Sequence, residues 1–543
     1  MSAPDDVAEG VETTRAKIAP DTHQTSAEAE RCGRRGHPWL TLVALALGLM
    51  MVGLDSTIVS VANPTIERDL HTSLAGLQWV TNGYLLAIAV LLILGGKLGD
   101  RFGRRLIFTI GIIGFALGSL GCACSDSIGL LVTFRVVQGV AGAMLMPNTL
   151  AIMRATFPEE QLTHAAGIWG GVTALAVAAG PIVGGLLVQH VSWESIFLLN
   201  LPLGLITLGV TLTVVSESRE PTRSTTVDVP GVVLLTLGLG AVAWALIKVP
   251  ARPWLSAYVL CCGGGGLIAL CLFVVREWRG RDPMLPLDVF RSRSVSAGVA
   301  LVVIGYMGLF GALFFVALYL QNVHGVSPLH AGVDMLPLTG MLIVSPIIGG
   351  VMTDRLGPRP PVVVGMLALA AAFFGFVGLT ADSAYSSLWP WFLLVGFGLG
   401  LVGTATTTAI VGNVPVARSG VAGGLQSTAN QLGSVLGTAV LGSILVSATS
   451  AVLGTKLAAV GVRAHAAEAV IAQKDVVGAG IAPVTADMPA SLQRAITTAS
   501  HAAFMCGFHT AMIVAGGLAV VGALLGLLLQ RGDSNVAGHS SVI

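Results

Sequence analysis

The feature that most constrains this chain is a succession of apolar runs, each about 20 residues long and almost free of charge. A helix of that length, rising about 1.5 Å per residue, crosses a hydrocarbon slab of about 30 Å. Fourteen such runs are read: 39–61, 78–98, 106–124, 127–150, 166–188, 195–216, 229–248, 254–275, 294–320, 330–351, 360–380, 387–411, 420–446 and 506–530. A bilayer offers the backbone no water, so each run has to satisfy its own N–H and C=O groups as a helix. Only 10% of the 543 residues are charged, where a soluble protein carries about 25%. The hydrophobic set reaches 54%, too much to hide in a soluble core. The fold class is therefore an all-α membrane protein. A soluble enzyme, a disordered chain and a disulfide scaffold are excluded. The net charge of +1 lacks the basic excess of nucleic-acid-binding domains, so no nucleic-acid partner is expected.

Loop charges set the orientation. Arg31, Arg34 and Arg35 precede the first run, which is too long and begins too far into the chain to be a signal-peptide core. With the N-terminus inside, the short inner loops hold Arg101, Arg104, Arg105, Arg154, Arg219, Arg223, Arg276, Arg279, Arg281, Arg291, Arg293, Arg355, Arg359 and Arg418. The short outer loops hold only Arg68, Lys248 and Arg252. This bias satisfies the positive-inside rule, and moving the count by one helix would invert it. Both termini are expected in the cytoplasm, with polar tails at 1–38 (disordered) and 531–543. Residues 447–505 are expected to form a long outer loop, Ala-rich with helical patches, on the membrane surface. The seven cysteines are scattered, with no metal-ligand spacing, and read as apolar filler.

An internal repeat divides the chain. Gly96, Asp100, Arg101, Gly103 and Arg105 after helix 2 recur as Gly350, Asp354, Arg355, Gly357 and Arg359 after helix 10, at a constant offset of 254. Helices 1–6 (39–216) then correspond to helices 9–14 (294–530), and residues 217–293 are a linker carrying two extra spans. Two homologous halves around a central cavity are a common transporter design. The turn Gly96–Arg105, with Arg104, is expected to act as a cytoplasmic gate. Its Asp100 is placed against the positive start of helix 13 in the other half, near Gly420. The competing reading is plain charge anchoring by the arginines.

Charges inside the spans narrow the function. Asp55 lies about 9 Å deep in helix 1, and on this count it is the only carboxylate of helices 1–6 well inside a span. An intramembrane carboxylate costs roughly 2.5–3.5 kcal/mol, and such residues usually face a cavity and do work. Arg135 lies about 12 Å deep in helix 4, at nearly the same level, and stays charged. The pair is read as the proton-coupling site, against a purely structural ion pair. Gln138, Asp334, Gln426 and Asn430 are placed around the substrate cavity, with bonding to neighbouring helices the competing reading for Gln426 and Asn430. Asp334 is near the outer interface, where simple solvation competes with contact to a cation. Gly180-Pro181 lies in mid-helix, where proline removes a backbone hydrogen bond, and Gly184 and Gly185 allow close packing.

These motifs carry a resemblance. Leu54-Asp55-Ser56-Thr57-Ile58-Val59-Ser60-Val61-Ala62-Asn63-Pro64, the run Leu131–Gly139 around Arg135, Gly180-Pro181-Ile182-Val183-Gly184-Gly185, the paired turns, and Tyr319-Leu320-Gln321 with Gly325–Gly332 resemble the major facilitator superfamily. They are most similar to its fourteen-helix drug:proton antiporter branch, over residues 40–445. Asn63 stands where that branch has an apolar residue, and Trp193-Glu194-Ser195 replaces Trp-Arg-Trp. The resemblance implies two six-helix bundles plus two central helices. It also implies that Gly180, Pro181, Gly184 and Gly185 are the antiporter motif of an exporter.

The function expected is proton-coupled export of small amphipathic drugs or antibiotics across the bacterial cytoplasmic membrane by alternating access. A dedicated exporter of one endogenous metabolite would share every motif. No P-loop is present, and no cofactor or metal is expected. The partners are the lipid bilayer, protons and the substrate, and the chain is expected to act as a monomer. A membrane enzyme would need a cluster of His, Cys or carboxylates, and the eleven histidines are dispersed.

Overall fold

The computed structural model describes residues 36–219, 228–248, 256–280, 287–414, 419–485 and 487–530. The expected tails, at 1–35 and 531–543, lie outside them, as do Arg223, Arg252, Arg281 and Arg418. Among the described residues, fourteen helices are long and apolar enough to cross a membrane. They are α1 (Pro38–Asp69), α2 (Leu74–Phe102), α3 (Arg104–Ala123), α4 (Ile128–Thr156), α5 (Glu159–His190), α6 (Ser195–Val214) and α7 (Val229–Lys248). The remainder are α8 (Ala257–Arg279), α9 (Arg293–Val323), α10 (Pro328–Leu356), α11 (Arg359–Phe376), α12 (Trp389–Val411), α13 (Ser419–Leu436, continued to Ala459) and α14 (Ala490–Gly526).

Packing repeats with an offset of eight helices. The pairs α1–α5, α2–α4, α3–α4 and α3–α6 recur as α9–α13, α10–α12, α11–α12 and α11–α14. Gly95 and Gly349, also 254 residues apart, mark the same crossing. A Cβ on Gly95 would lie 2.1 Å from the Ala143 carbonyl oxygen of α4, and one on Gly349 would lie 3.2 Å from the Leu401 Cα of α12. The repeated turns share a backbone need as well. Gly103 and Gly357 end α2 and α10 with φ of +119° and +83°, which glycine adopts without penalty. The helices α7 and α8 form a hairpin on the flank of α2, where Val232 packs on Val90. Asp228 and Arg276 tie that hairpin's ends at 2.7 Å. The guanidinium holds the Asp228 carboxyl below its ordinary range.

The two halves meet mainly through α1–α9, α2–α13 and α5–α10. Hydrogen bonds between them to oxygen acceptors, among the described residues, lie toward the end away from the arginine turns. Gln321 Nε2 donates to the Val61 carbonyl (2.9 Å), Gln78 Nε2 to the Thr438 carbonyl (2.8 Å) and Thr438 Oγ1 to Asn82 Oδ1 (2.5 Å). The Leu329 amide donates to Gln189 Oε1 at 3.2 Å.

Two expectations are corrected. Residues 447–505 have the expected helical patches, but the loop between the long helices is shorter than expected, because both helices run into it. The helix of α13 continues unbroken to Ala459 and α14 begins at Ala490, with Ala464–Ala472 and Lys474–Gly478 between them. Leu453, Leu457, Val462, Val470, Val477 and Ile496 give this extension a core of its own. Asn322 Nδ2 donates to the Ala479 carbonyl (2.9 Å), tying the extension back to α9. Helix α1 also runs two turns past residue 61, through Pro64, and carries Glu67 into the buried interior. Asp55 is therefore not the only buried carboxylate of the first six spans.

Candidate functional site

Five helices of the first half converge on Asp55. Its carboxylate is fully buried and paired with the Arg135 guanidinium of α4, which is 1% exposed. Arg135 Nη1 donates to Asp55 Oδ2 and to Gln138 Oε1 (3.0 Å), and Nε donates to the Val80 carbonyl of α2 (3.0 Å). The guanidinium carbon stands 4.1 Å from the Tyr84 ring centroid and 5.7 Å from that of Phe197, within cation–π range. Asp55 Oδ1 takes two neutral donors, Asn200 Nδ2 of α6 (3.1 Å) and Gln138 Nε2 (3.3 Å). Gln138 is held in turn by Ser119 Oγ, which accepts from its Nε2 (2.7 Å), and by the Cys122 thiol, which donates to its Oε1 (3.2 Å).

This arrangement sets one carboxylate against one guanidinium inside the span. Both charges are neutralised and hydrogen-bonded, the condition under which a buried pair is tolerated. Protonating Asp55 would free Arg135, and the neutral donors around it would have to rearrange. Gln138 was placed on the substrate cavity by sequence. The structure instead buries it completely inside this network, because one turn of α4 puts positions 135 and 138 on the same face. Asn200, Ser119, Cys122 and Tyr84 were not singled out by sequence. Asn200 is a single amide in the apolar run at 195–216, which is the one signal that could have found it.

The antiporter-type glycines form a joint beside this site. A Cβ on Gly180 would fall 2.0 Å from Thr57 Oγ1, and one on Gly184 would fall 2.8 Å from Ile58 atoms, so α5 lies directly on α1. Pro181 has no N–H to give the Val177 carbonyl four residues back. Thr57 Oγ1, two residues from Asp55, donates to that carbonyl instead at 3.0 Å. On the other side, a Cβ on Gly185 would meet the Pro328 carbonyl oxygen at 2.5 Å, and one on Gly332 the Pro181 carbonyl oxygen at 2.3 Å. The motif is thus pressed between its own half and α10 of the other.

At the arginine-rich end, Asp100 accepts from Arg104 Nε (2.9 Å) and Nη2 (2.8 Å). This partner lies in its own turn; the expected contact with the start of α13 near Gly420 falls outside the described residues, which leave out the side chains of 419–421. The anion set at a helix start here is Glu217, whose carboxylate accepts from the Arg105 and Leu106 amides of α3 (3.1 and 3.2 Å). Arg101 lies over Phe102, and a Cβ on Gly96 would touch Pro147 of α4 at 3.4 Å. In the second copy, Asp354 and Arg355 are exposed. Asp334 is half-exposed at the opposite end, where its carbonyl accepts from Tyr385 Oη (3.1 Å), away from the Asp55 network. Gln426 Nε2 donates to Thr407 Oγ1 (2.5 Å) within the second half, and Asn430 Oδ1 is buried with no partner.

A family model described as Major Facilitator Superfamily matches residues 45–438. The chain is 44% identical to the tetracenomycin C resistance and export protein of Streptomyces glaucescens, over 95% of this chain and 96% of that one. It is 37% identical to multidrug resistance protein Stp of Mycobacterium tuberculosis, over 76% and 77% of the two chains. It is 33% identical to the multidrug efflux pump LfrA of Mycolicibacterium smegmatis, over 91% and 96%. Among solved structures, a bacterial homologue of the human lysosomal transporter Spinster superposes with a TM-score of 0.59 at 19% identity, covering 92% of this chain and 99% of its own. A D-xylose–proton symporter superposes with a TM-score of 0.58 at 12% identity, covering 91% and 98%.

Proposed function

The chain belongs to the Major Facilitator Superfamily, and from that premise we propose that it is a proton-coupled antiporter exporting small amphipathic drugs or antibiotics by alternating access. The observation that carries the reading is the buried Asp55–Arg135 pair, ringed by Asn200 and Gln138 and joined through Thr57 to α5 beside Pro181. A proton site next to the joint between halves would let a proton and a conformational change share one free energy. The positive-inside rule puts the arginine turns in the cytoplasm of a bacterial plasma membrane, with both termini inside. The hydrogen bonds that join the halves then lie toward the outer end, which supports an inward-facing arrangement. A proton entering down 100 mV supplies ~2.3 kcal/mol, enough to sustain roughly a 50-fold substrate gradient.

Substrate breadth has two readings. The similarity to the Streptomyces glaucescens protein supports export of a tetracenomycin-like compound as a dedicated task. The relatives named as multidrug proteins support a broad range. Monomeric protein in proteoliposomes with an imposed pH gradient tests the proposal against a panel of dyes and antibiotics. Uphill efflux should require the gradient and vanish in Asp55→Asn, while downhill exchange survives. Uphill pumping by Asp55→Asn would place the coupling elsewhere.

A further inference from the structure

Glu67 is 5% exposed, and neither carboxyl oxygen has a hydrogen-bond partner. One turn before it, Asn63 is fully buried with both side-chain amide atoms unpartnered. These two end a polar stripe on α1, Ser56, Ser60, Asn63 and Glu67, spaced by four, three and four residues. The stripe lies roughly 80–140° around the helix from Asp55 at 3.6 residues per turn. Asp55 itself faces α4 and α6, and Thr57 faces α5. Ser56 and Ser60 satisfy their hydroxyls on carbonyls of their own helix, at 2.6 Å each. Asn63 and Glu67 have no such recourse. At this end α1 is covered by the other half, through α9 and the start of α10, with Gln321 on the Val61 carbonyl.

No counter-charge waits for Glu67 in the closed arrangement. Arg68, the next residue, is the one charge acting on it, and its side chain is exposed. The other titratable groups at this end of the helices packed on α1 have their own surroundings. His324 pairs with Tyr319 Oη (2.8 Å) and His330 Nδ1 with Ser327 Oγ (2.8 Å), while His71, His190, Glu194 and Asp334 lie toward the surface. Closing the outer end over an ionised Glu67 buries a charge with neither donor nor cation, whereas closing it over the neutral acid does not.

We propose that Glu67 is a second proton-binding site, separate from Asp55, whose protonation from outer water accompanies closure of the outer end. The step is one proton added to one carboxylate, with no electron transferred. It deepens the alternating-access reading and rests on it: an exporter that has released its substrate outside returns inward only once Glu67 is neutral. Asn63 is the adjacent amide that the hydrated, open state would expose with it.

The experiment measures outer-end opening at equilibrium. Spin labels carried on unnatural amino acids at Val191 and Ser386, exposed positions of the two halves, leave the native cysteines in place. Distances between them are read in nanodiscs from pH 5 to pH 9. In the otherwise unaltered protein, the open-to-closed ratio should rise with pH, by up to about tenfold per unit across the transition. Glu67→Gln should stay closed at pH 9, and Glu67→Asp should restore the response, which separates loss of the titrating group from misfolding. A wild-type pH response in Glu67→Gln, or no response in the unaltered protein, overturns the proposal. Asp55→Asn in the same assay keeps the two readings apart. Loss of the response there with retention in Glu67→Gln removes the Glu67 site and leaves the Asp55 coupling standing. Failure of pH-driven efflux with a Glu67-dependent response removes the antiport reading and leaves the site.

Discussion

Arg135→Gln tests the central pair most directly. It removes the only charge bonded to Asp55 and leaves a fully buried carboxylate with the Asn200 and Gln138 amides alone. Breaking a buried ion pair from one side costs about 3–5 kcal/mol, largely because the survivor's charge is uncompensated. The substitution also loses the bond to the Val80 carbonyl and the stacking on Tyr84. Those losses recur when Arg135→Gln is made on an Asp55→Asn background, so they cancel in a double-mutant cycle. With both substitutions in place, two neutral amides face each other and no charge is stranded. The double variant should therefore be more stable than Arg135→Gln, and the coupling energy should be about 3–5 kcal/mol. Reversible unfolding of the four proteins in mixed detergent micelles at neutral pH gives the cycle. A coupling below about 1 kcal/mol, the range of exposed pairs, would mean that water reaches the site and would refute its description as a sealed pair.

Three further outcomes are expected. Gly332→Leu puts a side chain where even a Cβ would stand 2.3 Å from the Pro181 carbonyl oxygen, so the outer ends cannot close; export should fall at least tenfold, with a cysteine introduced at the buried Asn63 more reactive to an impermeant thiol reagent, and unchanged labelling would defeat the joint. Asp100→Asn should slow transport several-fold with folding intact by breaking the part-buried Arg104 pair, while Asp354→Asn, at an exposed position, should do less; equal rates measured in vesicles would leave the turn as a charge anchor only. Asp334→Asn should weaken efflux of cations and of neutral compounds alike, since Asp334 sits half-exposed away from the Asp55 network; a selective loss for cations in a dye-efflux assay would return it to the substrate path.

What the sequence determined by itself was whatever depends on neighbours along the chain. Hydropathy over about 20 residues specifies a spanning helix, because a bilayer leaves the backbone no alternative. That is why fourteen spans were legible, and why the offset of 254 matched helices 1–6 to helices 9–14, whose crossings repeat at eight-helix intervals. Asp55 and Arg135 were legible for the same reason: a charge in an apolar run stands out at once. Their partners were not. Asn200 is 145 residues from Asp55 and Gln321 is 260 from Val61, and nothing local to either position encodes the meeting. Glu67 follows a proline, beyond the apolar run, and reads as a loop; packing across the chain makes it a buried acid. The segment 447–505 likewise has too little hydropathy for a span, and its own leucines and valines find each other in a core. Local composition decides what a segment can form, and only packing across the chain decides which polar groups lose water, because desolvation depends on everything that approaches a group in space.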